Sequence, residues 1–164
     1  MSDARLILLN GMPGSGKSTL ARRYLADLPG VLVVEADALR GWIGGDPSHH
    51  AEASRHLSLA MARAHLETGY DVVVPQLVAR LDQLARFEDV AVETGAQFVE
   101  VVLHGTVIDS RVPEAAVEHL VEYAHGLADV VAARPHTYRL VTRHGDVEDA
   151  YRELIDVLEP DVPA

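Results

Sequence analysis

Residues 11–18 read Gly11-Met12-Pro13-Gly14-Ser15-Gly16-Lys17-Ser18 and stand between an apolar run, Leu6-Ile7-Leu8-Leu9, and a stretch with helical periodicity. This is the G-x-x-x-x-G-K-[ST] pattern, and its placement matters as much as its residues. The pattern works only as the turn between a buried strand and a helix. Gly11, Gly14 and Gly16 permit backbone angles that other residues resist, so successive N–H groups can turn inward around phosphate oxygens. The following helix adds its positive N-terminal end. Lys17 is placed to reach β- and γ-phosphates, and the Ser18 hydroxyl to ligate Mg²⁺. The segment therefore predicts a site for ATP with Mg²⁺, contacted by Gly11, Pro13, Gly14, Ser15, Gly16, Lys17, Ser18 and Thr19.

The rest of the chain repeats the alternation that this turn begins. Short apolar runs at Leu6–Leu9, Val31–Val34, Asp71–Val74, Phe98–Leu103 and Tyr138–Thr142 read as strands. Helical patterns fill the gaps, over 16–28, 38–43, 51–67, 80–94, 113–133 and 147–158. The first of these places Leu20, Ala21, Tyr24 and Leu25 on one face. The third carries Leu57, Ala60, Met61, Ala64 and Leu66 at helical spacing. Near-continuous apolar strands separated by helices predict a parallel sheet covered on both faces. With 164 residues and no linker or repeat, the expectation is one α/β domain with a five-stranded parallel sheet.

Composition excludes several functions. There is no cysteine, so no disulfide scaffold, thiolate metal site or cysteine nucleophile is available. The formal net charge is −11, which repels a phosphate backbone and makes a nucleic-acid partner unexpected. No apolar run approaches the roughly 18–20 residues that span a bilayer, and the first one is too short for a secretory signal. A cytoplasmic protein without membrane association is expected. Of the 14 basic residues 13 are arginine, and the one lysine is Lys17, inside the phosphate loop.

Glu35-Ala36-Asp37 follows the second predicted strand. Ligands of open parallel sheets bind outside the carboxyl ends of the strands, so these carboxylates belong beside the phosphate site. On an extended segment, residues two apart point the same way. Asp37 is the candidate base for an attacking hydroxyl, and Glu35 the candidate on the metal side. Arg40 is within reach of Asp37 on a helical turn and is a candidate clamp for an acceptor. Trp42 offers a ring for stacking, although core packing is the ordinary role of a tryptophan. Gln76 and Arg80 follow the third strand at the same edge and are further acceptor candidates.

Taken together, the loop with its continuation Thr19-Leu20-Ala21, followed by Asp37-Ala38-Leu39-Arg40, resembles the P-loop kinases grouped with AAA-type ATPases. That group includes polynucleotide 5′-kinase domains and chloramphenicol phosphotransferase-like enzymes. The resemblance implies a three-layer P-loop NTPase sandwich and phosphoryl transfer from ATP. It also implies Asp37 as general base, Arg40 as a substrate-side residue and Lys17 in catalysis. The chain departs from the group in two places. Its third strand continues into Pro75-Gln76, without the aspartate that relatives carry near the metal. Residues 105–112, where relatives carry an arginine-rich lid, hold only Arg111. Arg134, Arg139 and Arg143 are the other arginines that stand to supply the missing charge.

Three functions fit this reading. The first is a kinase acting on a hydroxyl of a small neutral or cationic molecule. The second is a kinase for a polynucleotide or nucleoside 5′-hydroxyl, suggested by D-x-x-R. The third is an ATP-binding regulatory module with little turnover, suggested by the short lid.

Overall fold

Five parallel strands form the sheet, in the order β2-β3-β1-β4-β5. In the computed structural model, which describes residues 3–105, 117–142 and 146–159, β1 spans Arg5–Gly11, β2 Leu32–Val33, β3 Val72–Pro75, β4 Gln97–Gly105 and β5 Tyr138–Thr142. The helices are α1 (Lys17–Asp27), α2 (Ala36–Arg40), α3 (Ala51–Leu66), α4 (Leu81–Thr94), α5 (Leu120–Ala133) and α6 (Val147–Leu158). The central strand β1 pairs Leu6 with Val72 on one side and with Phe98 on the other.

Alternation along β1 explains the three layers. Leu6 and Leu8 join one core with Leu66 of α3, Phe87 of α4 and Val130 of α5. Ile7 and Leu9 join the opposite core with Leu20 and Tyr24 of α1 and Leu154 of α6. A strand buried on both faces has no polar side to show, which is why its sequence is a continuous apolar run. The expected parallel α/β sandwich is therefore the observed one.

Three local expectations change. Leu25 of α1 is exposed and lies outside the buried face formed by Leu20, Ala21 and Tyr24. In α3 the buried seam is Ser54, Ser58, Ala62 and Leu66, while Leu57 is 44% exposed and Ala60 and Ala64 face solvent. The seam escapes an apolar count because its serines satisfy themselves on the helix. Ser54 Oγ donates to Ala51 O at 2.9 Å and Ser58 Oγ to Ser54 O at 2.8 Å. The second strand is shorter than its apolar run, although the Val34 N–H still donates to Val73 O at 3.0 Å. The predicted start of the helix before β5, at Pro113, lies outside the described residues.

The edge of the sheet remote from Gly11 is closed by a polar cluster. Asp71, at the start of β3, accepts from the Arg5 backbone N–H at 2.8 Å and from Arg5 Nε at 3.0 Å. It also accepts from the Tyr24 hydroxyl at 2.7 Å. Burial, together with the hydrogen bond to Asp71, pushes the Tyr24 hydroxyl well above its ordinary pKa.

Candidate active site

The loop after β1 has the shape its sequence predicts. Gly16 stands at the N-cap of α1 with φ 94°, a left-handed conformation that glycine adopts without strain. Gly11 is required by space: a Cβ there would lie 2.7 Å from Ser15 Oγ and 3.0 Å from Leu103 O. No side chain caps α1 and no acidic residue occupies its first turn. Its leading N–H groups are thus left to a ligand, and an anion suits them. Thr142 Oγ1 donates to Ser15 O at 3.1 Å and so ties the loop to the end of β5. The buried Ser15 Oγ has no hydrogen-bond partner.

Lys17 folds back over the loop, with Nζ donating to Gly11 O at 2.9 Å and to Met12 O at 2.8 Å. Burial pushes its pKa down to about 8, partly offset by the negative charge of Asp37.

The second strand end is arranged differently from the extended segment expected. Only Glu35 is extended, at the N-cap of α2, and Asp37 already lies in the first turn of that helix. The two carboxylates consequently do not share one face of a strand. Asp37 is 88% exposed at the side chain and lies 3.5 Å from Arg40. Glu35 is three-quarters buried and 3.6 Å from Arg22 of α1. Glu35 Oε1 and Arg40 Nε are buried without hydrogen-bond partners. Trp42, for which core packing is the ordinary role, is instead 76% exposed. Leu39 of α2 fills the core in its place.

The third strand end adds Gln76. Its backbone N–H donates to Leu9 O at 3.1 Å, which extends the pairing with β1, and its Oε1 is buried and unpartnered. Arg80 turns away to Asp82, with Nε 3.0 Å from Oδ1, and is exposed. Arg111 and Arg143 lie outside the described residues. Arg134 is engaged elsewhere, 2.6 Å from both Glu88 and Glu100, and Arg139 is exposed on β5.

One residue that braces the loop was not anticipated. Asn10 is fully buried. Its Oδ1 accepts from the N–H groups of Gly11 at 2.9 Å and Val78 at 2.8 Å, while its Nδ2 donates to Val78 O at 2.8 Å. A single amide thus joins the phosphate loop to the segment that carries Gln76. Gly126 of α5 closes on the same segment, where a Cβ would lie 2.8 Å from Ala79 O.

The residues fit Mg²⁺ as they fit a triphosphate. The available donors are the Ser18 hydroxyl and the Glu35 carboxylate, hard oxygens of the kind this cation takes. The Glu35 carboxylate, 3.6 Å from Arg22, would supply the anionic member.

The sequence matches the AAA domain family over residues 6–119. The chain belongs to the AAA domain family. The part that matches the AAA domain includes every site residue from Gly11 to Arg80. Solved structures share the fold. The Mycobacterium tuberculosis APS kinase CysC in complex with AMPPNP and APS is 24% identical, with a TM-score of 0.61 over 97% of this chain and 99% of that one. A gluconokinase from Sinorhizobium meliloti 1021 is 19% identical, with a TM-score of 0.59 over 96% and 93%. Chaetomium thermophilum Kti12 in complex with ADP-AlF3 is 16% identical, with a TM-score of 0.66 over 97% and 100%. No curated protein matches this AAA domain chain in sequence. Among the described residues, no helix is long and apolar enough to cross a membrane.

Proposed function

We propose that the chain is an ATP-dependent kinase that transfers the γ-phosphoryl group to a hydroxyl of a small molecule. The observation that carries this reading is the loop after β1: α1 starts at Gly16 with no side-chain cap and no acidic residue in its first turn, and the one lysine of the chain, Lys17, lies over that loop on Gly11 O and Met12 O. The exposed carboxylate of Asp37 stands beside Arg40 on α2, which follows β2 of the same sheet. That two solved proteins of the same fold are named kinases supports it.

In this mechanism the loop N–H groups and Lys17 hold the β- and γ-phosphates. The acceptor hydroxyl oxygen attacks the γ-phosphorus, and the bond from that phosphorus to the β–γ bridging oxygen breaks. The bridging oxygen keeps the electron pair and leaves as part of ADP. The hydroxyl proton passes to a carboxylate oxygen of Asp37. Ser18 would hold Mg²⁺ directly and Glu35 through water, and the cation would neutralise charge on the departing phosphates. Arg40 steadies Asp37 and the acceptor. Positioning and electrostatics supply most of the acceleration in such a reaction.

The engagement of Arg134 by Glu88 and Glu100 favours one other reading. An ATP-binding regulatory module has no need of a spare arginine at the transferring phosphoryl group. The test is ADP release from Mg-ATP across a panel of hydroxylated metabolites, nucleosides and 5′-hydroxyl oligonucleotides. A kinase shows acceptor-dependent release that Lys17→Ala and Asp37→Asn abolish. Tight ATP binding with no acceptor dependence supports the module.

A further inference from the structure

Three buried polar atoms on the segments that follow β2 and β3 have no hydrogen-bond partner: Glu35 Oε1, Arg40 Nε and Gln76 Oε1, the first of them 3.6 Å from Arg22. Buried polar groups are ordinarily satisfied, so three such atoms on neighbouring segments mark a place where a ligand completes the bonding. The platform is fixed. Val33 pairs with Val73, which sets Glu35 beside the end of β3. Gln76 N bonds to Leu9 O, and Asn10 clamps Val78 two residues further on.

We infer that this edge receives the acceptor of the proposed kinase as an uncharged or cationic ring polyol, with hydroxyls bonded to Glu35, Arg40 and Gln76 and the ring against Trp42. The inference rests on the kinase reading and names its substrate class. A hydroxyl both donates and accepts. It can donate to the Glu35 carboxylate and accept from Arg40 Nε. It can also satisfy the Gln76 amide in either orientation. A carboxylate, sulfate or phosphate could accept from Arg40 and from a flipped Gln76 amide, but it would face the charge of Glu35. The neighbouring arginines offer it little more, because each already has a carboxylate: Arg22 with Glu35 at 3.6 Å, Arg40 with Asp37 at 3.5 Å and Arg80 with Asp82 at 3.0 Å. Trp42, two residues beyond Arg40, leaves a large amphipathic ring in solvent that the face of a polyol can cover.

Trp42 is the single tryptophan of the chain, so tryptophan fluorescence excited selectively reports on the surroundings of Trp42, two residues beyond Arg40. The protein is saturated with AMPPNP and Mg²⁺ and titrated with myo-inositol, methyl glucoside and glucosamine, and separately with gluconate and APS. A saturable change with at least one of the first three, and none with the anions, is expected. Gln76→Leu should weaken that polyol about tenfold while leaving AMPPNP affinity unchanged. A response to the anions only overturns the inference, as does a flat response to all three polyols at millimolar concentration. An unchanged polyol affinity in Gln76→Leu overturns it as well. Failure of the kinase reading looks different: the polyol binds and shifts Trp42, yet releases no ADP from Mg-ATP. An anion that does release ADP keeps the kinase and removes the polyol.

Discussion

The side chain of Asn10 grips the backbone of Val78 at both of its polar atoms, accepting from its N–H and donating to its C=O at 2.8 Å each. The two residues are 68 apart in sequence, and this amide joins the start of the phosphate loop to the segment that follows Gln76. Replacing it with leucine, which is close in shape, leaves the Val78 groups and the Gly11 N–H unpaired in the core. A loss of about 3 kcal/mol follows, or roughly 6–12 °C in Tm for a chain of this size. Thermal melting of Asn10→Leu measures it, and a change under about 1 kcal/mol would show that the clamp is not needed.

Lys17 sets the pH dependence of nucleotide binding. Its folded pKa of about 8 lies below the ordinary 10.5, because burial disfavours the charged form. Below pH 8 the ammonium is ready for phosphate. Above pH 8 binding must first restore a proton, so the Kd for Mg-ATP should rise about tenfold per pH unit. Calorimetry in buffers of different ionisation enthalpy should then detect proton uptake. Fold stability moves the other way. The unfolded chain holds the Lys17 proton to higher pH, so this group makes the nucleotide-free protein more stable as pH rises from about 8 toward 10.5. Absence of proton uptake at pH 9 would remove Lys17 from phosphate binding.

Asp37→Asn separates binding from transfer. The side chain is almost wholly exposed, so its loss leaves the core untouched. Mg-ATP affinity should stay within about threefold, while acceptor-dependent turnover falls about a hundredfold or more, the usual contribution of a general base. Retained turnover in this variant would assign the proton to another group.

Asp71 makes the opposite prediction. It holds Arg5 and Tyr24 at the far edge of the sheet, and its removal leaves a guanidinium whose side chain is 17% exposed with only neutral partners, Leu158 O and the Tyr24 hydroxyl. Asp71→Ala should cost about 2–3 kcal/mol, read by urea denaturation. Nucleotide affinity in the folded variant should be unchanged, since no bond of Asp71 reaches the loop.

The sequence made the phosphate loop legible because all its information is local. A buried run, three glycines, a lysine and a helix follow one another within a dozen residues. The strand positions were legible for a similar reason, since burial on both faces writes itself as an apolar run. What stayed hidden depends on distant partners. Asn10 reads as an ordinary turn residue before Gly11, yet its partner is Val78. The one hint is that a polar side chain follows four apolar ones while the strand continues. The seam of α3 is hidden by serines that bond their own helix. Asp37 enters α2 rather than extending β2, and exposed Trp42 cedes the core to Leu39.

Lys17 donates to Gly11 O and Met12 O within its own loop. The loop is consequently bolted from inside. A cation that could have been a loose point charge on a long stem instead ties both ends of one turn together, so the glycines that let the backbone curl are held in a single curl. The ammonium works less as an anchor than as a sliding bolt, and its two carbonyls hold the door frame square.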